Sequence, residues 1–123
     1  MIGYVMLGTN KFDAAAKFYD DLLGSIGASR MMESDRFIAW SAGANSPAIS
    51  ICKPFDGNAA TVGNGVMVAI PAGTREQVDA LYAKAIELGG TDEGEPGQRS
   101  DTFYAGYFRD LDGNKLNAFY FGE

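Results

Sequence analysis

The chain has no histidine, a single cysteine, and only 10 lysines and arginines against 16 aspartates and glutamates. Without histidine, no Ser–His or Cys–His pair can form, and the commonest metal-binding side chain is missing. A lone thiol, Cys52, cannot close an internal disulfide, which fits a reducing cytoplasm. The net charge of −6 argues against nucleic acid as a partner, because phosphate backbones are bound by a surplus of Lys and Arg. It argues equally against anionic membrane surfaces. No apolar run approaches the ~20 residues needed to cross a bilayer. The N-terminus shows no basic region followed by an apolar stretch, so no signal peptide is expected. What is present, at 123 residues and 46% hydrophobic, suits one globular domain with a real core.

A faint internal duplication organises that domain. Tyr4 in the first strand is echoed by Met67, Tyr19 in the first helix by Tyr82, and Gly27 by Gly90. The differences 67 − 4, 82 − 19 and 90 − 27 are all 63. Each half reads as strand, helix, then three strands. Repeat one covers residues 1–53, a Gly/Pro/Asn-rich connector residues 54–63, and repeat two residues 64–123. The first repeat is expected to hold strands near 2–8, 28–32, 36–41 and 48–53, with a helix over 14–23 capped by Asp13. In the second, a strand over 66–70 leads to a helix over 75–88, capped by Thr74 and burying Val78, Leu81, Tyr82, Ala85 and Ile86. Residues 91–100 are acidic and broken by Gly and Pro, so they read as a poor strand with a loop. The last two strands, 103–109 and 115–121, are joined by an Asp-Gly turn. Later strands keep a second offset of 67, which pairs Trp40 with Tyr107 and Ser50 with Asn117. The longer loop this implies is placed at residues 93–100.

Strand alternation then separates two faces. Val5, Leu7, Ile49 and Ile51, with Val66, Val68, Ile70, Leu116 and Ala118, are the apolar sets expected beneath the helices. Tyr4, Met6, Ser50 and Cys52, with Met67, Ala69, Asn117 and Phe119, fall on the opposite face and would line a cleft between the two repeats. Met6 and Met67 serve equally well as core filler. Ser50 and Asn117 need polar partners if sealed, supplied either by a wet or ligand-filled cleft or by cross-strand hydrogen bonds.

The opening residues 1–9, Phe18-Tyr19, the run from Gly63 to Ala69, and Arg109-Asp110-Leu111-Asp112-Gly113-Asn114-Lys115-Leu116 resemble the vicinal oxygen chelate superfamily. That superfamily includes glyoxalase I, bleomycin- and fosfomycin-resistance proteins and extradiol dioxygenases. Leu111 stands where the family's turn usually has Pro. The resemblance implies an α+β fold in which two βαβββ repeats form a curved, barrel-like mixed sheet with helices outside, commonly as a dimer. It also implies a divalent metal held by one residue from each of the first, fourth, fifth and eighth strands. Those places fall on Tyr4, Ser50, Met67 and Asn117, none of which is a ligand of the expected kind. No metal and no other cofactor is therefore expected, and the metal-dependent activities of the family are not.

Other chemistry is thin. Lys53 follows Cys52, but adjacent strand residues point to opposite faces, so the thiol is expected to be inert. Asp110 and Asp112 are assigned to the turn, Glu93 and Glu95 to solvent, and Arg99 and Arg109 to salt bridges or an anionic ligand. Gly63-Asn64-Gly65 precedes a strand and is no phosphate loop. Aromatic side chains remain as ligand contacts: Tyr4, Trp40, Phe103, Tyr107 and Phe119, joined by Ser50, Met67 and Asn117. Phe103 and Tyr104 cannot share a face. The reading is a cytoplasmic homodimer that binds a small organic molecule without a metal. A glyoxalase-like lyase or isomerase using Tyr4 or a carboxylate, and a structural or regulatory dimer without ligand, are the alternatives.

Overall fold

The computed structural model describes residues 1–123. The chain forms two compact units, Met1–Val62 and Gly63–Glu123. In the first, β1 (Tyr4–Gly8), α1 (Phe12–Gly24), β2 (Ser29–Glu33), β3 (Phe37–Ser41) and β4 (Ala48–Cys52) follow in order. Its sheet runs β1-β4-β3-β2, with β1 parallel to β4 and the other pairs antiparallel. The second repeats the plan with β5 (Val68–Pro71), α2 (Arg75–Glu87), β6 (Thr91–Ser100), β7 (Phe103–Arg109) and β8 (Lys115–Phe121) in the sheet order β5-β8-β7-β6. Two βαβββ units of α+β class are therefore present as expected. Neither four-stranded sheet closes on itself. Neither helix is long and apolar enough to cross a membrane.

In the first unit α1 buries Ala15, Phe18, Tyr19, Leu22 and Leu23, and the sheet side of this core is Leu7, Ile38, Trp40 and Ile51. The β1/β4/β3 register places those four on one face. The helix starts two residues earlier than Asp13 suggested. Lys11 holds the cap position without a side-chain bond, and its own N–H is taken by Thr9 Oγ1 at 2.9 Å. Asp13 lies in the first turn, where its charge still suits the helix dipole. Gly27, at φ +86°, turns the chain out of the helix.

In the second unit Thr74 caps α2 as expected, its hydroxyl accepting the Gln77 N–H at 3.1 Å. Val78, Leu81 and Ala85 are buried, whereas Ile86 faces solvent. The fifth strand begins later than expected, leaving Val66 and Met67 ahead of it and exposed. Residues 91–100, expected as a poor strand with a loop, form a single strand. Register shifts against β7 occur between Asp92 and Gly94, Gly94 and Gly97, and Gln98 and Ser100. The extra residues of this repeat are thus absorbed as bulges.

The hydroxyl of Tyr82 on α2 donates to Asp92 on β6 at 2.7 Å. Burial, then the Asp92 carboxylate, pushes the Tyr82 phenol up to about 12. A pKa raised in the fold means that the neutral form is preferred there. Its contribution is complete below the ordinary tyrosine pKa of about 10 and is lost as pH rises through about 12. Urea melts between pH 9 and about 12 should therefore show falling stability, and Tyr82→Phe should flatten that fall. An unchanged alkaline slope in the variant would remove the bond's role.

Candidate functional site

The β7/β8 register decides which aromatics point where. Tyr107 pairs with Asn117, and Ala105 with Phe119, while Phe103 pairs with Phe121. Phe103, Tyr107, Asn117, Phe119 and Lys115 therefore share the sheet face turned away from α2. Tyr104 lies on the helix side, its hydroxyl donating to Asp79 of α2 at 2.6 Å. This face carries Phe103 stacked on Phe119, centroids 5.5 Å apart and 21° between planes. Arg99 and Lys115 both sit against the Tyr107 ring, at 5.4 and 5.5 Å from its centroid. In this strip Asn117 is 1% exposed, and its Oδ1 has no hydrogen-bond partner. A sealed acceptor without a donor costs about 1–3 kcal/mol.

In the first unit the expected residues are less concentrated. Ser50 is fully buried, and its hydroxyl donates to the Val5 carbonyl on the adjacent strand at 2.6 Å. The cross-strand bond, not a wet cleft, satisfies it. Tyr4 lies on the sheet face of Ser50, the face alternation assigns it, and is 61% exposed. Met67, in the second unit, is likewise exposed and outside the strand that was to aim it.

Trp40 is the clearest correction. It is buried on the helix side, tilted against Tyr19 at 5.6 Å, with its indole N–H donated to Asp20 at 2.8 Å. Trp40 pairs with Ile49 and Phe108 with Leu116, so Trp40 corresponds to Phe108, an offset of 108 − 40 = 68. The loop between β3 and β4 is residues 42–47, one longer than the 110–114 loop between β7 and β8. The offset therefore falls to 116 − 49 = 67 only after the hairpin. Matching Trp40 to Tyr107 slipped the register by one, and such a slip moves a side chain to the other face.

The remaining ionisable groups have ordinary employment. Burial pushes the Cys52 thiol up, although Arg36 pulls the other way, and Lys53 Nζ lies over the Phe12 ring at 5.2 Å instead of on the sulfur. Glu93, expected in solvent, is paired with Arg109. Asp110 builds the hairpin: Oδ1 accepts the N–H groups of Asp112 and Asn114, each at 2.9 Å, and Oδ2 accepts Asn114 Nδ2 at 3.0 Å.

The donor set does not fit a divalent cation. Tyr4 is largely in solvent, the Ser50 hydroxyl is spent on a carbonyl, and Met67 offers only a soft thioether. No three His, Cys, Asp or Glu side chains are grouped so as to hold a metal ion.

A chain of paired βαβββ units, with an aromatic strip on one sheet face, defines a small-domain class built by duplication. The Glyoxalase/Bleomycin resistance protein/Dioxygenase superfamily profile matches residues 1–118, and the chain belongs to that superfamily. It is similar to a glyoxalase/bleomycin resistance protein from Albidiferax ferrireducens T118, at 37% identity over 98% of each chain with a TM-score of 0.89. A glyoxalase/bleomycin resistance protein/dioxygenase family enzyme from Burkholderia phytofirmans PsJN shares the fold at 18% identity, 97% of each chain and a TM-score of 0.78. A lactoylglutathione lyase from Agrobacterium tumefaciens does so at 18% identity, 98% of this chain and 92% of that one, with a TM-score of 0.73. None of the curated proteins matches.

Proposed function

We propose that this protein binds a small organic molecule, without a metal, on the aromatic face of its second unit. The observation that carries the reading is Asn117 Oδ1: buried, unpartnered, and on the face that holds Phe103, Tyr107 and Phe119. A guest with a flat or apolar body gains contact on the Phe103–Phe119 pair, and a donor on that guest recovers the hydrogen bond the free protein lacks. Half-buried Tyr107 and Phe119 flank Asn117 and give the guest its approach. Sequestration of this kind asks for neither a general base nor a Lewis acid. Burial disfavours the Cys52 thiolate, so that side chain offers no ready nucleophile.

The protein is proposed to act as a cytoplasmic homodimer. Tyr4, Met6 and Met32 are exposed apolar side chains of the first unit, a pattern that marks interfaces. Sedimentation should give twice the 13.1 kDa chain mass. A thermal-shift screen of metal-depleted protein against planar, donor-bearing organic compounds should give saturable stabilisation with no product formed. Binding that appears only after Zn, Ni or Mn is restored at one per chain would overturn the metal-free reading.

A further inference from the structure

The first unit contains a cleft of about 520 Å³ apart from the aromatic strip, lined by the β1–α1 turn, the end of β4 and the segment after it. Its charged residues are Arg36 and Lys53, and no aspartate or glutamate lines it. The Lys53 N–H donates to the Arg36 carbonyl at 2.9 Å, which extends the β3/β4 ladder one rung beyond Phe37–Cys52. Directly opposed residues point to the same face, so two cations leave the sheet side by side. Neither has a carboxylate within ion-pair distance, although the chain carries 16 carboxylates to 10 cations. Instead the Arg36 guanidinium lies over Phe55 at 5.7 Å and donates to the Lys53 carbonyl at 3.0 Å, and Lys53 Nζ lies over Phe12. Phe55 is 93% exposed, an apolar wall open to a guest.

We propose that this cleft is a second binding site, for a small organic anion whose carboxylate or phosphate sits between Arg36 and Lys53 and whose apolar body lies against Phe55 and Pro54. An anion there supplies the charge partner that the fold withholds. The volume is in the range of sites for small organic ligands and exceeds what a bare ion needs.

The test is an NMR titration of the whole chain with phenyl phosphate, benzoate, inorganic phosphate and phenol in parallel. Phenyl phosphate or benzoate should shift the backbone amides of Phe55, Gly57 and Asn58 saturably; which of the two binds tighter names the head group. Inorganic phosphate should bind more weakly, and phenol should leave those amides unmoved. Arg36→Gln and Lys53→Gln should each weaken binding roughly tenfold. The proposal is overturned if neither organic anion shifts these amides, if phenol shifts them equally, or if both variants keep wild-type affinity.

Discussion

Trp40→Ala is expected to cost about 3–5 kcal/mol of stability, the range for emptying a large aromatic from a core. Trp40 is 2% exposed, rests on Tyr19 of α1, and spends its indole N–H on Asp20. Asp20 in turn binds Arg30 through both carboxylate oxygens, and that bond holds its carboxyl below the ordinary range. One side chain thus ties α1 to β3 and, through Asp20, to β2. Trp40→Phe keeps most of the packing and loses the hydrogen bond, so a cost near 1 kcal/mol is expected there. Urea denaturation of both variants checks the pair. Trp40→Ala that folds with wild-type stability but binds ligand poorly would return the indole to the ligand face, against its observed position.

Asp110→Ala is expected to cost about 3 kcal/mol, because one buried carboxylate serves three donors in the β7–β8 turn. Asp110 is 4% exposed, so water cannot easily replace its carboxylate. Gly113 at φ +92° completes the turn, and its carbonyl accepts from Arg109 at 2.9 Å. Asp110→Asn should fall between alanine and wild type, since its amide keeps one acceptor but turns a donor toward another donor. The turn also sets which residue of β7 faces which residue of β8. Its loss should therefore reduce the chemical-shift dispersion of Tyr107 and Asn117, which are paired in that hairpin.

Local chemistry was readable in the sequence where the interaction is short in chain distance. Thr74 reaches Gln77, and Asp110 reaches Asn114, within one turn. The duplication followed from the constant offset of 63 between matched residues, and the two sheet faces from alternation. The third-strand register did not, because it depends on a one-residue difference between two hairpin loops, and that difference moved Trp40 from one face to the other. β6 was hidden by its own Gly94, Pro96 and Gly97, which break the alternation as bulges and still pair with β7. Ser50 and Asn117 look alike in sequence, and both are buried. Only the adjacency of β1 and β4, with the Val5 carbonyl 45 residues away, tells the satisfied one from the other. The Arg36–Lys53 pair was missed for the same reason: neither residue is notable until the hairpin sets them opposite each other.

The most direct test compares wild type with Asn117→Leu, using the strongest compound from the screen and calorimetric titration. Leucine removes an acceptor that the free protein leaves unpaired, so the unliganded variant should melt at the same temperature or higher. Affinity should fall at least roughly tenfold, since the guest's donor would then meet a methyl group. Undiminished affinity in Asn117→Leu would mean that the guest never touches this oxygen, and the aromatic face of the second unit would not be its site.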